Sequence, residues 1–435
     1  VDTIGNAIAI TLMMVLFLGM GIWLFAALLL VGTIGMFFLG DMSLARIGAI
    51  MSQVIWRSAS TWELAAIPLF ILMGEIIFKT DIAQRLFRGL SPWVDWIPGR
   101  LLHANVGGCT IFAALCGSSI ATTATIGRIT VHELGKRHYD RNLTLGSLAG
   151  AGSFGLMIPP SINLIIFGVL AEVSIGRLFA AGVFPGLLLA ALYSGYIVLC
   201  CTIRPEKAPK DDLQYCWRDR LRALVDLLPI TVLIVAVLGS IYSGLATPSE
   251  SAVIGLVATI LLGSMTRQLS CKILFQALMG AVRTSAMILS LMVGASFLSV
   301  ALGYLHVPQQ VSHAIGALDL PPYALIALLT LFYILLGAFL DGISLMVMTL
   351  AIVLPLVVGA GFDPVWFGIF LILMAELALI TPPVGLNLFV LQGLTKTGIA
   401  QLSFAAFPFF LLILATGVLL VLFPWIALWL PRQLF

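Results

Sequence analysis

A few polar side chains stand where an apolar chain has little reason to keep them. Gly117-Ser118-Ser119 interrupts a hydrophobic run. Asn163 follows Pro159-Pro160, and Asn387 follows Pro382-Pro383, whose flanks carry Thr381 and Gly385. Asp341, beside Gly342, is an acid in an apolar stretch with no basic residue close in sequence. Hydroxyls, amides and backbone carbonyls freed from a helix are hard oxygen donors that suit Na⁺. An acid within hydrocarbon is costly and marks function by default. This set could bind a small cation and a polar solute reversibly. Covalent or hydrolytic chemistry would want His, Asp or Glu clustered on adjacent membrane helices, as HExxH or paired aspartates, and no such cluster is present in the apolar segments. The six cysteines show no CxxC spacing, and the five histidines form no pair with ligand spacing.

The spacing of these residues implies a repeat. The proline pairs lie 223 positions apart, at 159–160 and 382–383. From Ser118 to Pro159 is 41 positions, and from Asp341 to Pro382 is again 41. Proline lacks an N–H and clashes with the preceding turn, so each pair must break a helix. Irregular backbone survives at membrane depth only where protein buries it or where it lines a wet cavity.

The elements that position these residues must be membrane helices. The 435 residues are 61% hydrophobic and 9% charged, against about 25% charged in a soluble domain. The alternation of a membrane barrel is absent. The basic residues set topology and give no sign of nucleic-acid binding. Residues 79–100, 128–141, 204–222 and 267–283 are basic and are expected on the cytoplasmic side; residues 284–395 contain no Lys or Arg. The loop 303–322 is expected outside. No cleavable signal shows in residues 1–40, and the first residue, Val1, has the look of a trimmed or fused chain.

The expected fold is an all-α polytopic membrane protein with inverted repeats, two re-entrant hairpins and two proline-broken helices. Residues 1–78 are N-terminal scaffold helices and 79–100 a basic amphipathic arm. Residues 101–203 form the first repeat core, with a hairpin at 101–136 and a broken helix at 143–170. After a cytoplasmic loop at 204–222 come scaffold helices at 223–266 and a second arm at 267–283. Residues 284–395 form the second repeat core, with a hairpin at 323–357 and a broken helix at 365–394; 396–435 is a C-terminal span. Paired broken helices in opposed halves are the layout of a secondary transporter. One cation site is expected at Gly117, Ser118, Ser119, Pro159 and Asn163. A second is expected at Asp341, Gly342, Thr381, Pro382 and Gly385. Ser118, Asn163, Asp341 and Asn387 are expected to contact the solute. Glu75 and Glu376 are expected to pair with basic groups on other helices.

Several stretches carry a family resemblance. They are AIPLFILMGE at 66–75, GSSIAT at 117–122, IPPS at 158–161, GVLAEVSIG at 168–176, AGVFPG at 181–186 and ELALITPPVG at 376–385. In this order, over nearly the whole chain, they resemble the large membrane subunit of tripartite ATP-independent periplasmic transporters, the DctM-like family. The resemblance implies an elevator of the ion-transporter superfamily in the bacterial inner membrane, driven by Na⁺ and importing an organic acid. It further implies a small four-helix membrane subunit and a periplasmic substrate-binding protein as partners. The alternative is a stand-alone Na⁺/carboxylate symporter that needs no binding protein.

Overall fold

The computed structural model describes residues 3–209, 215–316 and 321–435, and all its regular structure is helical among them. The first helices are α1 (Thr3–Gly19), α2 (Leu24–Phe38), α3 (Leu44–Ala59), α4 (Ala66–Phe78) and α5 (Ile82–Val94). Then come α6 (Leu101–Cys116), α7 (Ser119–Lys136), α8 (Arg141–Gly152) and α9 (Ile162–Leu170). The middle of the chain forms α10 (Ile175–Ile203), α11 (Trp217–Tyr242), α12 (Pro248–Met265), α13 (Cys271–Tyr304) and α14 (Val307–Gly316). The rest forms α15 (Pro322–Gly337), α16 (Gly342–Gly359), α17 (Pro364–Leu379), α18 (Leu386–Thr395), α19 (Ile399–Leu422) and α20 (Trp425–Leu434).

Six helices, α10 to α13, α16 and α19, are long and apolar enough to cross a bilayer, and the chain is a multi-pass membrane protein. A seventh span is available if α3 and the segment Trp62–Phe78, bent by 54°, count as one. The helices that lead into the two turns, α6 and α15, are shorter. At 1.5 Å per residue, the 16 residues of α6 or α15 reach about 24 Å, less than the roughly 30 Å of hydrocarbon.

The same order of elements occurs twice. Two helices joined by a tight turn (α6–α7, α15–α16) precede a helix that ends at a proline pair (α8, α17), and a short helix follows (α9, α18). Both Pro–Pro bonds, Pro159-Pro160 and Pro382-Pro383, are cis. Local sequence sets the helix starts. Asp140 accepts from the Leu143 N–H at 2.7 Å to cap α8. Asp363, followed by Pro364, accepts from the Val365 N–H at 2.7 Å to start α17. The break-bearing helices form the interior: α17 is buried from Val365 through Leu379, and α8 from Leu143 through Gly152.

Several elements depart from the sequence reading. Among the N-terminal scaffold helices, α3 is amphipathic and carries Arg46, Gln53 and Arg57. Helix α14 occupies much of the expected outer loop, and the expected final span 396–435 is divided into α19 and α20. The boundary drawn at residue 283 does not end a helix, since nothing breaks the 34 residues of α13 around Arg283. The expected basic loop is shorter, because Cys216 and Asp219 cap α11 at Trp217. Residues 210–214 of that loop and 317–320 of the outer loop lie outside the described residues.

Small residues let α8 press on α19. A Cβ placed on Gly146 would stand 2.1 Å from the Ala405 carbonyl oxygen, and a backbone atom cannot swing aside. Gly195 on α10 has nothing within 4 Å of its added Cβ. Gly146→Ala should therefore destabilise by about 1–3 kcal/mol and Gly195→Ala should be close to neutral. Thermal melts of the two purified variants in detergent check this.

Candidate functional site

The turn between α6 and α7 rests on the first break. Gly117 closes α6 in the left-handed region, at φ +57°, where glycine is unstrained. A Cβ there would lie 3.1 Å from the Pro160 carbonyl oxygen. The fit is closer at Gly155, whose added Cβ would lie 2.6 Å from backbone atoms of Ser118 and Ser119. Ser118 caps α7, and the Ser119 hydroxyl donates to the Ser153 carbonyl at 3.0 Å. Ser161 donates from its hydroxyl to the Leu156 carbonyl across the break.

The turn between α15 and α16 meets the second break differently. The Val384 N–H donates to the Ala338 carbonyl at 3.1 Å. Asp341 caps α16, and its carboxylate accepts from the N–H groups of Ile343 at 3.1 Å and Ser344 at 3.5 Å, and from the Ser344 hydroxyl. Gly385 starts α18 at φ +40°, and an added Cβ would lie 3.1 Å from the Thr381 carbonyl oxygen. The Thr381 hydroxyl donates to Leu377 O at 2.6 Å, which leaves oxygen lone pairs for another partner.

One cavity of about 1060 Å³ unites these parts, and Gly117, Ser118, Ser119, Asn163, Asp341 and Gly342 line it. Asn163 stands between the halves. Its Nδ2 has no hydrogen-bond partner and lies 3.5 Å from where Gly342 would carry a Cβ. Pro159, Thr381, Pro382, Gly385 and Asn387 are not on the cavity wall, though Val384 and Leu386 are. Asn387 turns to α8 instead, where its Nδ2 donates to the Ala149 carbonyl at 3.2 Å. The oxygen donors on the wall, the Ser118 and Ser119 hydroxyls and the Asp341 carboxylate, are of the kind that would suit a small hard cation.

Two acids behave otherwise than expected. Glu75 pairs within its own neighbourhood, 3.8 Å from Lys79, four residues on. Glu376 has no ion pair among the described residues. It is fully buried on α17, near the Met157 backbone and Tyr193, and neither carboxyl oxygen makes a hydrogen bond of normal geometry. The residue missed in sequence is Arg283, which lies on the cavity wall. Its place at the end of a basic amphipathic stretch read as a helix end.

The geometry defines a class: a multi-pass helical membrane protein with two proline-broken helices and two helix–turn–helix tips around one cavity, whose largely apolar wall carries a few polar groups. Its crystallographic likeness is the YdaH transporter of Alcanivorax borkumensis, with a TM-score of 0.62 over 88% of each chain at 16% identity. Residues 8–426 match the DctM component of the tripartite ATP-independent periplasmic transporters, and the chain belongs to that family. It is 29% identical to the C4-dicarboxylate TRAP transporter large permease protein DctM of Vibrio cholerae, over 98% of each chain. It is 30% identical to the 2,3-diketo-L-gulonate TRAP transporter large permease protein YiaN of Escherichia coli, over 92% of each.

Because Glu376 has no basic partner, Glu376→Gln should keep the folded yield of the parent. Glu376→Lys, which buries an ammonium in the same apolar place, should lose most of it. Fluorescence-detected size exclusion of the two variants is the check, and equal losses would mean that the carboxylate is held by a charge.

Proposed function

We propose that this chain is the large membrane subunit of a Na⁺-coupled importer of an organic acid in the bacterial inner membrane. The carrying observation is the convergence of both hairpin tips and Asn163 on one cavity. Family membership supports a tripartite assembly, with a small four-helix membrane subunit and a periplasmic binding protein that delivers the acid. The names of the Vibrio and Escherichia relatives, a C4-dicarboxylate and a sugar-acid permease, favour a carboxylate as solute.

In this reading the two repeats are inverted, and the hairpins 101–136 and 323–357 enter the membrane from opposite sides. Na⁺ enters as a co-substrate. Gly117, Ser118, Ser119 and Asn163, with backbone at Pro159, hold one ion. Asp341, Gly342 and Thr381, with backbone at Pro382 and Gly385, hold the other. Ser118, Asn163 and Asp341 contact the acid, and Asn387 braces the second break from behind. The repeat cores 101–203 and 284–395 move across the bilayer as an elevator. The scaffold at 1–78, 223–266 and 396–435 docks the small subunit, and the amphipathic segments 79–100 and 267–283 link the two parts.

The test is uptake of organic acids into proteoliposomes, with and without an inward Na⁺ gradient. Uptake is expected only with chain, small subunit and binding protein together, and only with Na⁺. Uptake by the chain alone would favour a stand-alone symporter. Asp341→Asn separates two roles of one side chain. Its amide oxygen keeps the α16 cap at a cost of a few tenths of a kcal/mol, while the charge is lost. Folded yield should hold, and the Na⁺ concentration for half-maximal uptake should rise about tenfold or more. An unchanged Na⁺ dependence would leave Asp341 as a cap alone.

A further inference from the structure

Arg283 lies twelve residues into α13, about 18 Å from the helix start. Its side chain is on the wall of the cavity. The charged side chains on that wall are Glu75, Arg283 and Asp341. Two of the three are already engaged. Glu75 has Lys79 at 3.8 Å. Asp341 faces the N-terminal N–H groups of α16 and the Ser344 hydroxyl. Arg283 makes no ion pair and no hydrogen bond among the described residues. The uncommitted charge of the cavity is therefore a cation. A guanidinium stays protonated, and its planar fork of N–H donors matches an oxyanion with two parallel hydrogen bonds. Arg283 is exposed on the cavity wall, so its guanidinium is open to a partner from outside the chain.

The position adds direction. Ser118, Asn163 and Asp341 come from the tips and the first break, whereas Arg283 comes from the long, unbroken α13. A solute in the cavity meets hydroxyl and amide groups from one set of elements and a cation from the other.

We propose that Arg283 is the receptor for a carboxylate of the transported solute, making it a specificity-determining residue of the cavity. This rests on the organic-acid reading above. A phospholipid headgroup offers the same oxyanion chemistry, so the experiment must separate the two sources.

The full chain, reconstituted with its small subunit and binding protein, is assayed for Na⁺-driven uptake of succinate, 2,3-diketo-L-gulonate and N-acetylneuraminate. The acid taken up fastest is then used with Arg283→Gln and Arg283→Lys. The expected result is a KM raised about tenfold or more in Arg283→Gln, with a smaller rise in Arg283→Lys, which keeps the charge but loses the fork. The same loss is expected in vesicles of phosphatidylcholine alone and in vesicles containing phosphatidylglycerol. If Arg283→Gln elutes as an aggregate, Arg283→Lys decides: a raised KM supports the proposal and a wild-type KM overturns it. A wild-type KM in well-folded Arg283→Gln overturns it. So does a loss seen only with phosphatidylglycerol, which assigns the guanidinium to a headgroup. No uptake of any acid by the wild-type assembly overturns the organic-acid reading, and this proposal with it.

Discussion

A peptide group released from a helix inside hydrocarbon has no water to bind, and leaving it bare costs several kcal/mol. The centre of this protein is organised around that cost, incurred twice. At the first break the Ser161 hydroxyl takes up the Leu156 carbonyl and the Ser119 hydroxyl takes up the Ser153 carbonyl. At the second the Ala338 carbonyl receives the Val384 N–H. Each helix–turn–helix tip thus acts as hydrogen-bond partner to the break that follows it. Pairing the tips with the breaks keeps unwound backbone supplied with partners.

The two halves solve the problem with different means. The first joint depends on the absence of side chains at Gly117 and Gly155, which lets backbone approach backbone. The second depends on a main-chain hydrogen bond, with Gly385 in the left-handed region to turn the chain into α18. The first joint is sensitive to any added methyl, and the second to a change in backbone path. The near-total burial of α17 follows from its position between the halves, against α10, α16 and α9.

Much of this arrangement was legible in the sequence, because proline, glycine and charge each act locally. Proline pairs cannot continue a helix, so both breaks could be located from the sequence, although α8 already ends at Gly152 and α17 at Leu379, ahead of their prolines. The turns at Gly117 and before Asp341 carry small or capping residues that announce themselves. Three things were not legible. Arg283 closes a basic stretch, and only the uninterrupted α13 shows that it faces the cavity. Glu376 looks like half of an ion pair, and only its surroundings show that the other half is missing. Asn387 follows its proline pair one residue later than Asn163 follows its own, and its amide serves α8 instead of the cavity. How the hairpins lie relative to the bilayer rests on the charge of their flanks, not on the helix boundaries.

The asparagines have one more implication. Asn163, from the first half, sits against Gly342 of the second, and Asn387, from the second, holds the Ala149 carbonyl of the first. Each half thus carries part of the other's joint. Two halves tied in this way give up modularity: neither half can be exchanged for that of a distant relative without bringing the opposing contact with it. The two halves are therefore bound to change together over evolutionary time, whichever solute the cavity comes to accept.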